Sequence, residues 1–256
     1  MQDLKVSLVQ TNQYWENKEE NLSNYEGLLE GVNADLILLP EMFHTGFTLN
    51  AQALAEKYNN SQGIKWLQQM AKAKNAAIYT SLIIKENNRF FNRGVFVYPD
   101  KTIFNYDKRK SFTLAGENEI FKEGLKETIV AYKGWKIQLQ ICYDLRFPEL
   151  VRNYIGPDRQ PKYDLILYVA NWPKKRRNHW ITLLKARAIE NQCYVVGVNR
   201  IGEDGNKLLY SGDSLIADAM GRVVNEIENI ESVDTSILSV NELINVRKNL
   251  PFLKDQ

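Results

Sequence analysis

Two short, uninterrupted apolar runs set the terms on which this chain can fold. One lies within Asp35-Leu-Ile-Leu-Leu-Pro40 and the other spans Leu165 to Ala170. A strand wetted on one side alternates apolar and polar residues, whereas one that does not alternate must be covered on both faces. Both runs are far too short to span a membrane, so they predict buried strands of an α/β domain with further layers above and below.

The rest of the chain supplies those layers. Lys5 to Gln10, Ala77 to Ile84, Phe90 to Tyr98, Thr102 to Tyr106, Thr128 to Tyr132, Trp135 to Cys142 and Cys193 to Asn199 read as strands. Pro99-Asp100-Lys101 and Lys133-Gly134 are turn-forming links between neighbours. Glu16 to Val32, Ser61 to Lys74 and Trp180 to Gln192 carry apolar residues at helical spacing. Ser214 to Ala217 and Arg222 to Ile227 form a hairpin over Asp218-Ala-Met-Gly221, and a last strand and helix fill Ser236 to Lys248. No linker, low-complexity tract or fixed-period repeat interrupts the 256 residues. Residues 1–256 therefore read as a single domain.

Composition narrows the chemistry. Only two Cys and two His occur, which excludes a disulfide framework and a four-ligand Cys/His zinc site. Lys and Arg number 33 against 31 Asp and Glu, a balance that gives no global drive toward nucleic acid or an anionic membrane. The N-terminus, MQDLKVSLVQ, lacks the apolar core of a secretion signal. Unpaired cysteines and no signal predict a reducing cytoplasm. With His so scarce, proton transfer falls to Glu, Lys and Cys.

Reactive groups of α/β folds gather at the carboxyl ends of buried strands. Here three strands end in such a group: Glu41 after Ile37-Leu-Leu-Pro40, Lys108 after Ile103-Phe-Asn-Tyr-Asp107, and Cys142 after Gln138-Leu-Gln-Ile141. Pro148 suits the first turn of a helix, which would set the Cys142 thiol in a field that favours the thiolate. Taken singly, Cys142 reads equally as a small buried apolar residue, and Glu41 with Lys108 as a structural ion pair. Taken together they supply a base, an oxyanion partner and a nucleophile.

Leu39-Pro-Glu-Met-Phe43, Tyr106-Asp-Lys-Arg-Lys110 and Ile141-Cys-Tyr-Asp-Leu-Arg-Phe-Pro-Glu149 resemble, in order, the three signature blocks of the nitrilase (carbon–nitrogen hydrolase) superfamily. The similarity runs over essentially the whole chain. It implies a four-layer α-β-β-α sandwich of two mixed sheets packed face to face, a homodimer, and no cofactor or metal. It also implies Glu41 as general base, Lys108 as oxyanion partner and Cys142 as nucleophile, with the backbone N–H of Tyr143 as a second oxyanion donor. A supporting glutamate is expected between the Lys and Cys blocks; Glu117 fits it better than Glu119. Cys142-Tyr-Asp-Leu-Arg-Phe-Pro resembles the amidase side rather than true nitrilases. Glu41-Met-Phe-His-Thr-Gly-Phe47, Ala170-Asn-Trp-Pro173 and Leu184 to Gln192 are similar to bacterial omega-amidases. Those enzymes hydrolyse the terminal amide of 2-oxo acids such as 2-oxoglutaramate through a cysteine thioester. Lys108-Arg-Lys-Ser-Phe112 departs from that group's usual Lys-Arg-His-Leu-Phe and adds charge near the site mouth.

Other residues carry narrower expectations. Phe43, Asn171 and Trp172 are expected to line the substrate pocket. Arg146 is a possible carboxylate ligand, with a structural salt bridge the favoured reading. His44 is expected to be solvated in a loop, and Cys193 buried and inert. Lys174-Lys-Arg-Arg177 is the densest basic run, read chiefly as a solvated patch that could also attract anions. The expected partner is a small amide, with neither nucleic acid nor membrane. The alternatives are a sibling amidase acting on deaminated glutathione, a Cys–His thiol hydrolase, or an anion- or nucleic-acid-binding module built on the basic run.

Overall fold

The structure, a computed structural model, describes residues 1–255. The first half of the chain builds one sheet and its helices. These are β1 (Leu4–Gln10), α1 (Lys18–Leu28), β2 (Leu36–Leu38), α2 (Ala51–Leu54), β3 (Glu56–Lys57), α3 (Gln62–Lys74), β4 (Ala77–Glu86), β5 (Arg89–Val97) and β6 (Ile103–Asp107). A one-turn helix, α4 (Glu117–Ile120), leads to the second sheet. That half comprises β7 (Ile129–Tyr132), β8 (Trp135–Ile141), β9 (Leu165–Ala170), α5 (Arg177–Asn191), β10 (Tyr194–Asn199), β11 (Ile201–Glu203), β12 (Leu209–Ser211), β13 (Ser214–Ala217) and β14 (Val223–Ile227). Then β15 (Ser232–Leu238) and α6 (Val240–Asn249) close the domain. Asn17, Ser61 and Ser239 cap α1, α3 and α6, each side chain accepting an N–H from the first helical turn.

The first sheet runs β15-β1-β2-β4-β5-β6, with β3 also on β4; the second runs β14-β13-β10-β9-β8-β7. In each, the central strands are parallel and the flanking strands antiparallel. β15 returns the chain to the first sheet beside β1.

The uninterrupted apolar runs are explained by what covers them. Leu36 and Leu38 join Leu8, Tyr79, Leu139 and Leu167 in a core shared by both sheets. Ile37 and Leu39 point the other way, with Tyr25 of α1 and Trp66 and Leu67 of α3. On the second sheet α5 supplies the outer cover. A Cβ at Gly197 would lie 2.5 Å from Leu184 and 2.8 Å from Trp180, so only glycine lets α5 approach this closely. The result is the expected four layers, α-β-β-α, with the two mixed sheets face to face.

Boundaries differ from the sequence reading in instructive places. The helix expected over Glu16 to Val32 is regular only from Lys18 to Leu28. α5 begins at Arg177, absorbing part of the basic run. Pro148 opens a single 3-10 turn, Pro148–Leu150, after another from Cys142 to Arg146, rather than a full helix. The β11–β12 hairpin was not anticipated, because its strands are only three residues long, too short to show an alternating pattern. Among the described residues no helix is long and apolar enough to cross a membrane.

Candidate active site

Parallel strands put their carboxyl ends on one edge of a sheet. Because the two sheets stack with those edges together, Glu41 after β2 and Lys108 after β6 meet Cys142 after β8 and Asn171 after β9. All four side chains are at least nine-tenths buried. Lys108 Nζ lies 3.0 Å from Glu41 Oε1 and 2.9 Å from both carboxylate oxygens of Glu117. Of the two sequence candidates for a supporting glutamate, Glu117 is thus the one bound to Lys108. The backbone N–H of Phe112 donates to Glu117 Oε2 at 2.6 Å and fixes it further.

Two asparagines hold Glu41. Asn171 donates its backbone N–H to Glu41 Oε2 at 2.8 Å and its side-chain amide to the Glu41 carbonyl at 2.6 Å. Asn92 of β5 donates to Glu41 Oε1 at 2.7 Å and to Glu117 Oε1 at 3.3 Å. Asn92 escaped the sequence reading because it lies mid-strand, where an inward-facing polar residue leaves no local signal. Asp144 escaped it too. Its Oδ2 accepts from the Tyr106 hydroxyl at 2.9 Å and the Ile141 N–H at 3.1 Å, and its Oδ1 from the Lys110 N–H at 2.9 Å. It therefore ties the turn carrying Cys142 to the segment carrying Lys108.

Cys142 has φ +44°, in the left-handed region that a non-glycine residue occupies at a cost. Strain of this kind at the end of a strand makes a sharp turn and swings the side chain out of the sheet. Its Sγ lies 3.9 Å from the Asn171 carbonyl. The next amide, Tyr143 N–H, sits in the first turn of the 3-10 helix, where amides have no intrahelical acceptor.

The electrostatics correct one expectation. Burial, with the nearby Glu41 carboxylate, pushes the Cys142 thiol well above the ordinary cysteine range, and Lys108 opposes this without prevailing. A five-residue 3-10 turn is not the helix N-terminus that was to favour the thiolate. Two carboxylates against one ammonium leave the cluster net negative, which disfavours a second anion. Burial also opposes the charge on Lys108, but Glu117 and Glu41 outweigh it and hold the ammonium. Asp144, buried, is raised to about 7.

A cleft of about 460 Å³, counting its open mouth, leads to Cys142 and Lys108. Five aromatic side chains stand in its walls: Phe47, Phe112, Tyr143, Trp172 and Tyr210. Asn171 and Trp172 line it, as expected. Phe43 does not. It is wholly buried and packs on Tyr25, Trp66 and the His44 ring in the core outside the first sheet. The tight turn at Met42 (φ +46°) carries the chain round, and Phe47, four residues on, forms the aromatic wall instead. Tyr210 comes from the unanticipated β11–β12 hairpin.

Arg146 also differs from expectation. It makes no salt bridge, lines the cleft, and stacks 4.7 Å above the Trp172 ring. His44 is buried rather than solvated and lies 3.1 Å from Glu56, while His179 Nδ1 accepts from Arg146 at 3.2 Å. Neither histidine is hydrogen-bonded to Cys142, so the Cys–His pair is not formed. Cys193 is buried, with the Arg187 carbonyl 3.9 Å from its sulfur. The basic run is divided: Arg177 pairs with Asp213, Arg176 turns into the cleft, and Lys174 and Lys175 face solvent.

A sandwich that joins a buried thiol, a carboxylate and an ammonium at one edge, beneath an aromatic cleft, defines the class of carbon–nitrogen hydrolases. Comparison with known proteins places the chain within it. The carbon–nitrogen hydrolase family model matches residues 5–246, and the chain belongs to that family. It is 42% identical to the omega-amidase YafV of Yersinia enterocolitica, covering 100% of this chain and 97% of that protein. It is 31% identical to the 2-oxoglutaramate amidase of Bacillus subtilis, covering 98% and 96%. Among solved structures, a CN-hydrolase superfamily protein from Xanthomonas campestris, with an arsenic adduct in its active site, superposes with a TM-score of 0.97. That protein is 40% identical, with 100% of this chain and 98% of that one covered.

Proposed function

We propose that this protein is an omega-amidase that hydrolyses the terminal amide of 2-oxoglutaramate, or a related 2-oxo acid amide, to the acid and ammonia. The observation that carries the reading is the buried Glu41–Lys108–Glu117 cluster beside Cys142, opening onto a cleft that fits a small molecule. Full-length similarity to an omega-amidase and a 2-oxoglutaramate amidase supports the substrate class.

The mechanism follows from the raised thiol. Because Cys142 stays protonated, it needs a base at the moment of attack, and Glu41 takes the proton as sulfur bonds to the amide carbon. The carbonyl oxygen becomes an oxyanion that accepts from Lys108 Nζ and the Tyr143 N–H, whose hydrogen bonds offset the developing charge. Glu41 returns the proton to the nitrogen, the carbon–nitrogen bond breaks, and ammonia leaves a thioester on Cys142. Water, deprotonated by Glu41, attacks the thioester; the acid departs and the thiol regains its proton. Glu117 and Asn92 keep Lys108 and Glu41 in register throughout.

The same reading includes a cytoplasmic homodimer that binds neither nucleic acid nor membrane. The two free cysteines suit a reducing compartment, and the exposed Ile189, Ile244 and Phe252 suit pairing of helical faces. Ammonia release from 2-oxoglutaramate, glutamine and deaminated glutathione is the direct test. Turnover of deaminated glutathione above 2-oxoglutaramate would assign the protein to the sibling amidases instead. Light scattering tests the dimer.

A further inference from the structure

Four of the five rings around the cleft are tied to the reacting groups. Phe47 lies 5.4 Å from Lys108 Nζ, Tyr143 follows Cys142, and Trp172 follows Asn171. Phe112 packs on Tyr143, with ring centres 5.0 Å apart. Tyr210 differs. It and Leu208 reach the cleft from the β11–β12 hairpin, which carries no member of the Glu41, Lys108 and Cys142 cluster. The hairpin is nevertheless fixed. Asp204 Oδ1 accepts the N–H of Asn206 at 2.8 Å and of Leu208 at 3.0 Å, and Oδ2 accepts the Tyr210 hydroxyl at 2.8 Å. A Cβ at Gly205 would collide with Trp15, so only glycine lets the hairpin tip seat there. Arg200 is wholly buried, and every acceptor it meets is uncharged. These are the Asn12 side-chain oxygen at 2.7 Å and the carbonyls of Ile201, Gln13 and Glu203 at 3.0, 3.2 and 3.1 Å. A guanidinium in a dry site without a counter-charge costs stability; here its face carries the Tyr210 ring, 4.8 Å away. Burial and the Asp204 carboxylate raise the Tyr210 hydroxyl well above the ordinary tyrosine range, so its proton stays committed to Asp204. Tyr210 therefore gives the cleft a rigid ring with no free proton, and Leu208 stands beside it, exposed to solvent.

We propose that Tyr210, with Leu208, is the wall that sets the acyl length the cleft accepts: it admits the chain of 2-oxoglutaramate and turns away longer homologues. Asp204 is its positioning residue. A wall borne on a hairpin outside the catalytic cluster can set specificity without displacing the reacting groups, the usual division between a rigid scaffold and its loops. A ring whose hydroxyl is already bonded recognises methylene groups by shape alone, since it offers no proton to an oxygen of the substrate. The inference rests on the omega-amidase reading and adds the residues that measure the chain.

The test pairs 2-oxoglutaramate with its homologue one methylene longer, 2-oxoadipamate. One methylene too many against a fixed wall is expected to cost the wild-type enzyme roughly 10- to 100-fold in kcat/KM. Tyr210→Leu brings the two substrates to within about threefold, chiefly by lowering the KM of the longer one, and Leu208→Ala goes part of the way. Because Leu208 is exposed, its truncation tests the wall without threatening the fold. Tyr210→Phe keeps the ring and keeps the preference; a loss as large as that of Tyr210→Leu would overturn the proposal by making the hydroxyl responsible. Asp204→Ala frees the ring and lowers the preference through KM; a fall in kcat with the preference intact would overturn its positioning role. Calorimetry gives a readout independent of turnover: 2-oxoglutarate binds the wild type more tightly than 2-oxoadipate, and Leu208→Ala narrows the gap. An unchanged preference and an unchanged binding gap in the Tyr210→Leu and Leu208→Ala variants would overturn the wall while leaving the omega-amidase reading standing. If the wild type does not hydrolyse 2-oxoglutaramate, that reading fails. The same comparison between pentanamide and hexanamide then decides the wall.

Discussion

The two cysteines occupy opposite edges of one sheet. Cys142 follows the carboxyl end of β8 and Cys193 precedes the amino end of β10, two strands that both run parallel to β9. Both thiols are buried and both are pushed upward, chiefly by burial. Neither burial nor thiolate character therefore separates the proposed nucleophile from the other thiol here. What separates them is surroundings. Each sulfur has a backbone carbonyl 3.9 Å away, but Cys142 also sits on a strained turn beside Glu41 and Lys108 and lines a cleft, which Cys193 does not. The carboxyl edge gathers side chains from two stacked sheets, and the amino edge of the second sheet is closed by α6. There Arg247 pairs with Asp164 and bonds the Gln192 carbonyl.

The largest expected effect breaks the comparison outright. Cys142→Ala lowers amide turnover on the order of 10⁵-fold or more, while Cys193→Ala leaves kcat within about twofold; an ammonia-release assay on both decides it. Next, Glu41→Gln lowers turnover roughly 10²- to 10⁴-fold, the usual span for a general acid–base. Mass spectrometry of the quenched enzyme shows little thioester in this variant, because acylation itself needs the base. Accumulation of a stable thioester would confine Glu41 to the second half of the reaction.

Asp144 sharpens the contrast through pH. Its folded pKa of about 7 lies above the unfolded carboxylate value, so between about pH 4 and 7 the folded state binds the extra proton. Its contribution is fully present below the unfolded value and is lost as pH rises through the folded one, at up to about 1.4 kcal/mol per pH unit. Urea unfolding across that range shows stability from this group falling, and Asp144→Asn flattens the fall; an equal slope in both proteins counts against the assignment. The smallest effect belongs to Cys193→Ala, a loss of about 1 kcal/mol from one deleted buried atom, measured by the same unfolding.

Much of this was legible in advance, for local reasons. An uninterrupted apolar strand needs two covers, and Leu36 to Leu39 has them. Residues at the carboxyl ends of parallel strands share one edge of the sheets, and Glu41, Lys108 and Cys142 meet there. Phe43 and Arg146 resisted because their fate depends on contacts distant in sequence. Phe43 turns toward Tyr25 and Trp66 rather than the cleft. No acid approaches Arg146, because the neighbouring loop carries Arg176 instead.

The sequence by itself determined the periodicities, the buried strands and which side chains stand at their ends, since these depend on neighbours two to four residues away. Only the tertiary structure decided that Asn92 and Asn171 clamp Glu41 and that Asp144 bridges the Cys142 and Lys108 segments. It also decided that the Cys142 thiol is raised rather than lowered. Each of these depends on partners brought together by strand order, from 34 residues apart for Lys110 and Asp144 to 130 for Asn171 and Glu41. Electrostatic energies in a dry site follow those distances in space, and separation along the chain does not encode them.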